Sequence, residues 1–278
     1  MRSWIRPVPV LAAGALLMTP PAHAADLIET PMLRKAVAAG KLPPVAQRVP
    51  ERPGIAKFDG ENNRIGSPGG DLRILMARAK DTRIMVVYGY ARLVGYNAEL
   101  ELKPDILERY EVKEGRIFTF YLRPGHRWSD GHPFTSEDFR HYWEDVANNK
   151  KLSKYGLPQA LLVDGKKPKF EVIDAHTVRY TWDRPNSYFL AALCGASPLY
   201  MYRPAHYLKR FHEKYAKPKK LRKWNKKRGG WARVYLKRAR QYRNENPDLP
   251  TLQPWVLKTR NRSAERFIFE RNPYYHRI

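Results

Sequence analysis

Phe118-Thr119-Phe120-Tyr121-Leu122-Arg123-Pro124-Gly125-His126-Arg127-Trp128-Ser129-Asp130-Gly131-His132-Pro133-Phe134-Thr135-Ser136-Glu137-Asp138 carries a strand, a tight turn and the start of a helix. Phe118, Phe120 and Leu122 alternate with Thr119 and Tyr121, which puts three large apolar side chains on one face of a strand. Ser129-Asp130-Gly131 has turn chemistry, because Asp bonds its own backbone and Gly accepts a positive φ. Thr135 with Asp138 three residues on fits a capping box. Phe139, Tyr142, Trp143 and Val146 follow at i, i+3, i+4 and i+7, a stripe that faces a core. Upstream, Tyr110 to Lys113 alternates and Glu114-Gly115 turns the chain, so a hairpin is predicted over Tyr110 to Leu122. A second hairpin is predicted over Phe170 to Trp182, bending at Asp174-Ala175, with Val178, Tyr180 and Trp182 on one face. Leu72, Ile74 and Met76 alternate with Arg73 and Leu75 as a strand would. A later helix opens at Pro204 with Tyr207, Leu208, Phe211 and Tyr215 inward. Strands and helices are mixed, and the fold class is α/β.

The chain has 278 residues, with 52 Lys+Arg against 27 Asp+Glu and a net charge of +25. Its 43% hydrophobic content excludes a wholly disordered chain. A mean hydropathy of −0.64 excludes a polytopic membrane protein. Cys194 is the single cysteine, which excludes an internal disulfide framework and a Cys-based zinc finger. Arg2 and Arg6, the uncharged run Val8 to Met18, and Ala22-His23-Ala24 read as a cleaved export signal over residues 1–24. The run is too short for a transmembrane anchor; an uncleaved short anchor is the alternative. Residues 25–68 read as a Pro/Gly-rich extension without its own core. A second charge-free run, Pro185 to Tyr202, contains Pro185, Asn186 and Pro198 and suits a buried segment with turns.

Gly125 to His132 is the densest polar cluster. His126, Asp130 and His132 could ligate a metal or serve an exported hydrolase, and Ser129 could be a nucleophile. Neither an H-E-x-x-H helix nor a G-x-S-x-G elbow is present, and the turn reading is favoured. His206 and His212, six apart, point to different sides of a helix. Gly66 to Gly70 lacks the Gly-Lys-Ser/Thr ending of a phosphate loop, and no cofactor is called for. The basic excess is local: Arg203 to Arg243 holds 17 Lys+Arg and one acid, Glu213. Such a stretch, interleaved with Trp224, Trp231, Tyr235 and Tyr242, reads as a solvated basic face, as a surface for anionic membrane or an acidic partner, or as a nucleic-acid site. An exported protein rarely meets nucleic acid, so no nucleic-acid partner is expected.

The stretch from Phe118 to Asp138 resembles the signature of family 5 extracellular solute-binding proteins, the oligopeptide, dipeptide and nickel receptors of ABC importers. Gly69-Gly70-Asp71-Leu72-Arg73 is similar to the family's first strand, and Asp174 to Tyr180 to its D-x-x-T-V-x-F hairpin, with Tyr180 in place of Phe. His206 to His212 and Asn246 to Leu252 resemble an oligopeptide-type subgroup, and Glu270-Arg271-Asn272-Pro273-Tyr274-Tyr275 resembles the R-N-P-x-Y strand end. The resemblance covers residues 69–278 and implies a periplasmic-binding-protein type II-like fold, with a small signature-bearing subdomain near 91–182.

It implies a monomeric periplasmic receptor, not an enzyme, whose two lobes close on a peptide and deliver it to a membrane permease. By position, ligand contacts fall on Arg78, Lys80 and Asp81 after the first strand, with Tyr88 and Tyr90 nearby. Receptors of this family are roughly twice as long, so the resemblance also implies the N-terminal lobe plus the small domain with the second lobe missing, and a poorly stable product that binds peptide weakly. A basic exported surface-binding protein and an exported hydrolase are the alternatives.

Overall fold

A computed structural model describes residues 27–56, 66–261 and 265–278. In chain order the elements are α1 (Arg34–Ala38), α2 (Val45–Arg48), α3 (Ile84–Gly89), β1 (Val94–Tyr96), β2 (Leu102–Pro104), β3 (Leu107–Lys113), β4 (Ile117–Leu122), α4 (Ser136–Arg140), β5 (Lys169–Asp174), β6 (Thr177–Thr181), α5 (Phe189–Cys194), α6 (Ala205–Leu208), α7 (Pro218–Asn225), α8 (Gly230–Arg238), β7 (Trp255–Leu257) and β8 (Phe269–Arg271). The predicted export signal lies outside the described residues.

β4 is the centre of a four-stranded sheet of order β3-β4-β6-β5, antiparallel throughout. Both predicted hairpins form. Glu114 and Gly115 take φ of 52° and 63°, and the Arg116 N–H donates to the Lys113 carbonyl across the turn. In the second hairpin the Asp174 carboxylate accepts the His176 N–H at the bend. Phe118, Phe120, Leu122, Val178, Tyr180 and Trp182 are all buried on one face. Phe189 of α5 packs into this row, 5.0 Å from Phe118 and 4.7 Å from Trp182 between ring centroids. Each such aromatic, fully buried, stabilises by about 1.5–3 kcal/mol. Part of the charge-free run is core, with Phe189, Leu193, Cys194, Met201 and Tyr202 buried, while Tyr188 and residues 195–197 are exposed; the Cys194 thiol donates to the Leu190 carbonyl. Among the described residues no helix is long and apolar enough to cross a membrane.

α4 starts where the capping box puts it: Thr135 Oγ1 accepts the Glu137 N–H, and the Asp138 carboxylate accepts the Thr135 N–H. After Arg140 the helix widens into a π-helical stretch, His141–Ala147, in which the Asn148 N–H reaches back five residues to the Trp143 carbonyl. Phe139, Tyr142, Trp143 and Val146 are buried as the stripe predicted.

Two expectations are corrected. Residues 69–78 form no strand; Leu72 is 82% exposed, and no described strand runs beside it to take its backbone N–H and C=O groups. The helix predicted from Pro204 is short. Pro204 is its cap, the chain tightens to a 3-10 turn at Lys209–Phe211 and leaves helical geometry at His212, so Tyr215 is not inside. The described part of the N-terminal extension carries α1 and α2, and buried Arg48 ties it to the far end of the chain by donating to the Pro43 and Pro273 carbonyls and pairing with Glu29.

Candidate functional site

The loop between β4 and α4 is built as a staple. The Trp128 N–H donates to the His132 carbonyl, the Gly131 N–H donates to the Trp128 carbonyl, and Ser129 is bonded both ways to Thr251. Gly131 has φ +87° and lies against the Tyr274 hydroxyl, where a Cβ would come within 2.9 Å, so the turn needs glycine twice over. The metal and nucleophile readings find no geometry. His126 is sealed between the rings of Phe134 and His276, whereas Asp130 pairs with His206 at 2.8 Å and His132 stacks on His206. Among the described residues no group of three His, Cys, Asp or Glu could hold a metal.

Asp138 does more than cap. Its Oδ2 accepts the Thr135 N–H and the buried Trp128 Nε1–H at 3.0 Å; its Oδ1 accepts the Ala205 N–H at 2.9 Å, joining the loop, α4 and α6. Burial pushes this carboxyl up to about 7 against the pull of those three donors. Asp145, seven residues on, is a second junction. It accepts from His141 Nδ1 at 2.9 Å, the Tyr215 hydroxyl at 2.7 Å and Lys214 Nζ at 3.3 Å. His141 Nε2 faces the Tyr235 hydroxyl at 3.0 Å, so the neutral ring donates to Asp145 and accepts from Tyr235. A third junction is Asp105. It accepts from His276 at 2.7 Å, from both Arg277 Nε and Nη2, and from the Arg92 backbone N–H. Burial works to raise its carboxyl, but His276 and Arg277 outweigh it and hold it well below the usual range.

These junctions make stability depend on pH with a definite sign. Burial lowers His141 to about 4 and pushes His126 and His276 down as well. Between about pH 4 and 6.5 the unfolded chain therefore binds a proton at His141 that the folded ring refuses, and His126 and His276 act in the same direction; their contribution, about 3 kcal/mol for His141, is present above pH 6.5 and lost on acidification. Asp138 acts oppositely, its contribution being full below about pH 4 and lost as pH rises through 7. Three rings outweigh one carboxyl. The midpoint of thermal unfolding is expected to fall between pH 7 and pH 5, and His141→Gln is expected to shrink that fall; a midpoint that rises on acidification would refute this account.

The five predicted ligand contacts lie on one continuous stretch. A 3-10 helix, Ala79–Arg83, leads straight into α3. Arg78 and Lys80 are exposed, and Tyr88 is 65% exposed. Asp81 is engaged in structure, its carboxylate accepting the Arg78 N–H and lying 3.6 Å from Arg83. Tyr90 is engaged too. It takes φ 43° at the end of α3, donates its hydroxyl to the Cys194 carbonyl, accepts the Tyr96 N–H, and gives its carbonyl to Arg277. Arg92 holds this end of the stretch. Its buried guanidinium lies 4.8 Å over the Tyr90 ring and donates to the carbonyls of Val86, Ala91, Gly195 and Ala196. At the other end Thr82 donates to the Arg243 carbonyl.

Beside that anchor, three buried polar atoms have no partner among the described residues: the Tyr200 hydroxyl, Arg203 Nε and Asn244 Nδ2. Arg203 Nη1 bonds Gln241 at 2.5 Å and the Tyr200 and Tyr202 carbonyls, so Tyr200 and Arg203 are joined through one guanidinium. Sequence reasoning did not single out these residues; Arg203 and Tyr200 read as the edge of a charge run and a core aromatic. A separate cleft of about 370 Å³ opens between α8 and Glu245 to Asp248, lined also by Arg260.

The sequence pattern described as bacterial extracellular solute-binding proteins, family 5 Middle, matches residues 101–277. The periplasmic oligopeptide-binding protein OppA of Salmonella typhimurium is 27% identical over 186 residues, 62% of this chain and 28% of that protein. The periplasmic alpha-galactoside-binding protein of Rhizobium meliloti is 26% identical over 271 residues, 88% of this chain and 35% of that protein. A solved structure of an oligopeptide-binding protein OppA superposes with a TM-score of 0.78 at 30% identity, over 91% of this chain and 39% of that one. The chain thus spans about a third of the length of the relatives it matches. These relatives are periplasmic binding proteins, not enzymes, and the mixed α/β fold is that of a type II periplasmic-binding-protein lobe. From the signature loop to the Asp105 junction that closes on Arg277, the chain belongs to the bacterial extracellular solute-binding proteins of family 5.

Proposed function

We propose that this chain is part of a periplasmic receptor that binds peptides and delivers them to the permease of an ABC importer, acting as a monomer after export through its N-terminal signal. The observation that carries the reading is the likeness to oligopeptide-binding proteins across the signature loop and the lobe built on it. In this reading the described residues form one wall of the ligand cleft. Arg78, Lys80 and Tyr88 stand on its exposed lip. The unpartnered Tyr200 hydroxyl, Arg203 Nε and Asn244 Nδ2 are the polar atoms left to meet a peptide backbone.

A second reading has its own support, since the alpha-galactoside-binding relative aligns over most of the chain. Titration calorimetry of the 278-residue chain with a mixed tri- to pentapeptide library and, separately, with raffinose-type galactosides separates the two. Peptide heats abolished by Arg203→Ala support the proposal; heats from the sugar alone would replace it. Because one wall cannot enclose a ligand, affinity is expected to be weaker than micromolar, and tighter binding would overturn the one-wall reading.

A further inference from the structure

Between Glu213 and Glu245 the chain has fourteen Lys and Arg and no acid. α7 and α8 carry most of this charge as a helical hairpin, reversed at Gly229 and Gly230 with φ of 83° and 53°. Lys214, Arg238 and Arg240, at its base, pair with Asp145, Asp248 and Glu245. The ten cations from Lys217 to Lys237 are different: all are exposed, and none pairs with an acid among the described residues. Ten like charges on so short a stretch repel one another, and no ion pair among the described residues offsets that repulsion, which points to a partner outside the fold.

The hairpin is a firm platform. Leu221, Trp224 and Ala232 pack on the core, and Trp231 and Tyr235 are buried in it. The Tyr235 hydroxyl meets His141, and His212 Nε2 meets the Asp145 carbonyl at 2.9 Å, so α8 is tied to the helix that follows the signature loop. The same packing decides the kind of partner. With the rings of Trp231 and Tyr235 turned inward, the outer face offers cations and no stacking platform for bases. Seven of the ten are Lys, compact mobile charges that suit diffuse headgroups better than the bidentate geometry Arg supplies. Leu236 is the one large apolar side chain exposed between Lys217 and Lys237, too little for insertion, so contact would be adsorption.

We infer that the α7–α8 hairpin is an electrostatic docking surface for an anionic phospholipid bilayer. It holds the lobe against a membrane face whatever solute the lobe binds. Flotation of the 278-residue chain with phosphatidylcholine vesicles, with and without roughly 30% phosphatidylglycerol, tests this. Partitioning is expected to be at least about tenfold stronger onto the anionic vesicles at about 50 mM salt and to collapse near 500 mM, where screening is nearly complete. Lys219→Glu, Lys220→Glu, Lys226→Glu and Lys227→Glu together are expected to abolish it; the four Gln substitutions serve if the Glu variant fails to fold by circular dichroism. Equal partitioning onto neutral vesicles, indifference to salt, or wild-type binding by a folded variant would overturn the inference. Tight binding to an oligonucleotide without binding to anionic vesicles would overturn it in favour of a nucleic-acid surface.

Discussion

Asp138→Ala is expected to destabilise the chain by about 3–5 kcal/mol, the largest effect of any single substitution around the signature loop. Two buried N–H groups, on Trp128 and Ala205, and the half-buried one on Thr135 lose their acceptor at once. The helix cap accounts for about 1 kcal/mol of this, and the remainder comes from stranding the indole and the start of α6. Asp138→Asn keeps one acceptor oxygen and faces an N–H with an amide nitrogen, so it is expected to fall between wild type and Ala. Chemical denaturation of the three proteins, read by tryptophan fluorescence, checks the order; a cost for Ala near that of an ordinary cap would show that the carboxylate is not the junction described.

Arg92→Met is expected to cost a similar amount, about 3–5 kcal/mol, or roughly 6–20 °C in melting temperature for a domain of this size. Methionine matches the stem but leaves the carbonyls of Val86, Gly195 and Ala196 without the guanidinium. The effect should be local as well as global. Tyr90 loses the cation over its ring, and its left-handed backbone then has only the Cys194, Tyr96 and Arg277 contacts to hold it. Limited proteolysis should therefore cut the variant between residues 66 and 90 far sooner than wild type. Equal cleavage with a lowered melting temperature would mean that Arg92 stabilises the core without positioning this stretch.

The parts legible in the sequence are those whose causes are local. A capping box needs only Thr135 and Asp138, and a hairpin only alternation and the residues Glu114-Gly115 at its bend. What could not be read is what closes across distance. The second oxygen of Asp138 finds Ala205, 67 residues on, and nothing near either residue announces it. Alternation at Leu72 to Met76 was real but insufficient, because a strand exists only beside another and pairing is a property of the neighbour. For the same reason Asp81 and Tyr90 looked available: their side-chain chemistry suits a ligand, but the turn and the end of α5 take them first. The π-helical widening at His141–Ala147 carries no signature in composition, whereas the meeting of His141 and Asp145 needs only their i, i+4 spacing.

Arg48 and Pro273 are joined across 225 residues, and Gly54 runs beside Arg277 with bonds to His276 and Ile278. This seam sets an order of assembly. The hairpins that flank β4 close over a few residues and form early, at small entropic cost. The seam has to wait until the longest loop in the chain is closed, so it is the last contact made and the first to open. A chain delivered N-terminus first would present its extension, unattached, to proteases and chaperones until Pro273 to Ile278 arrive.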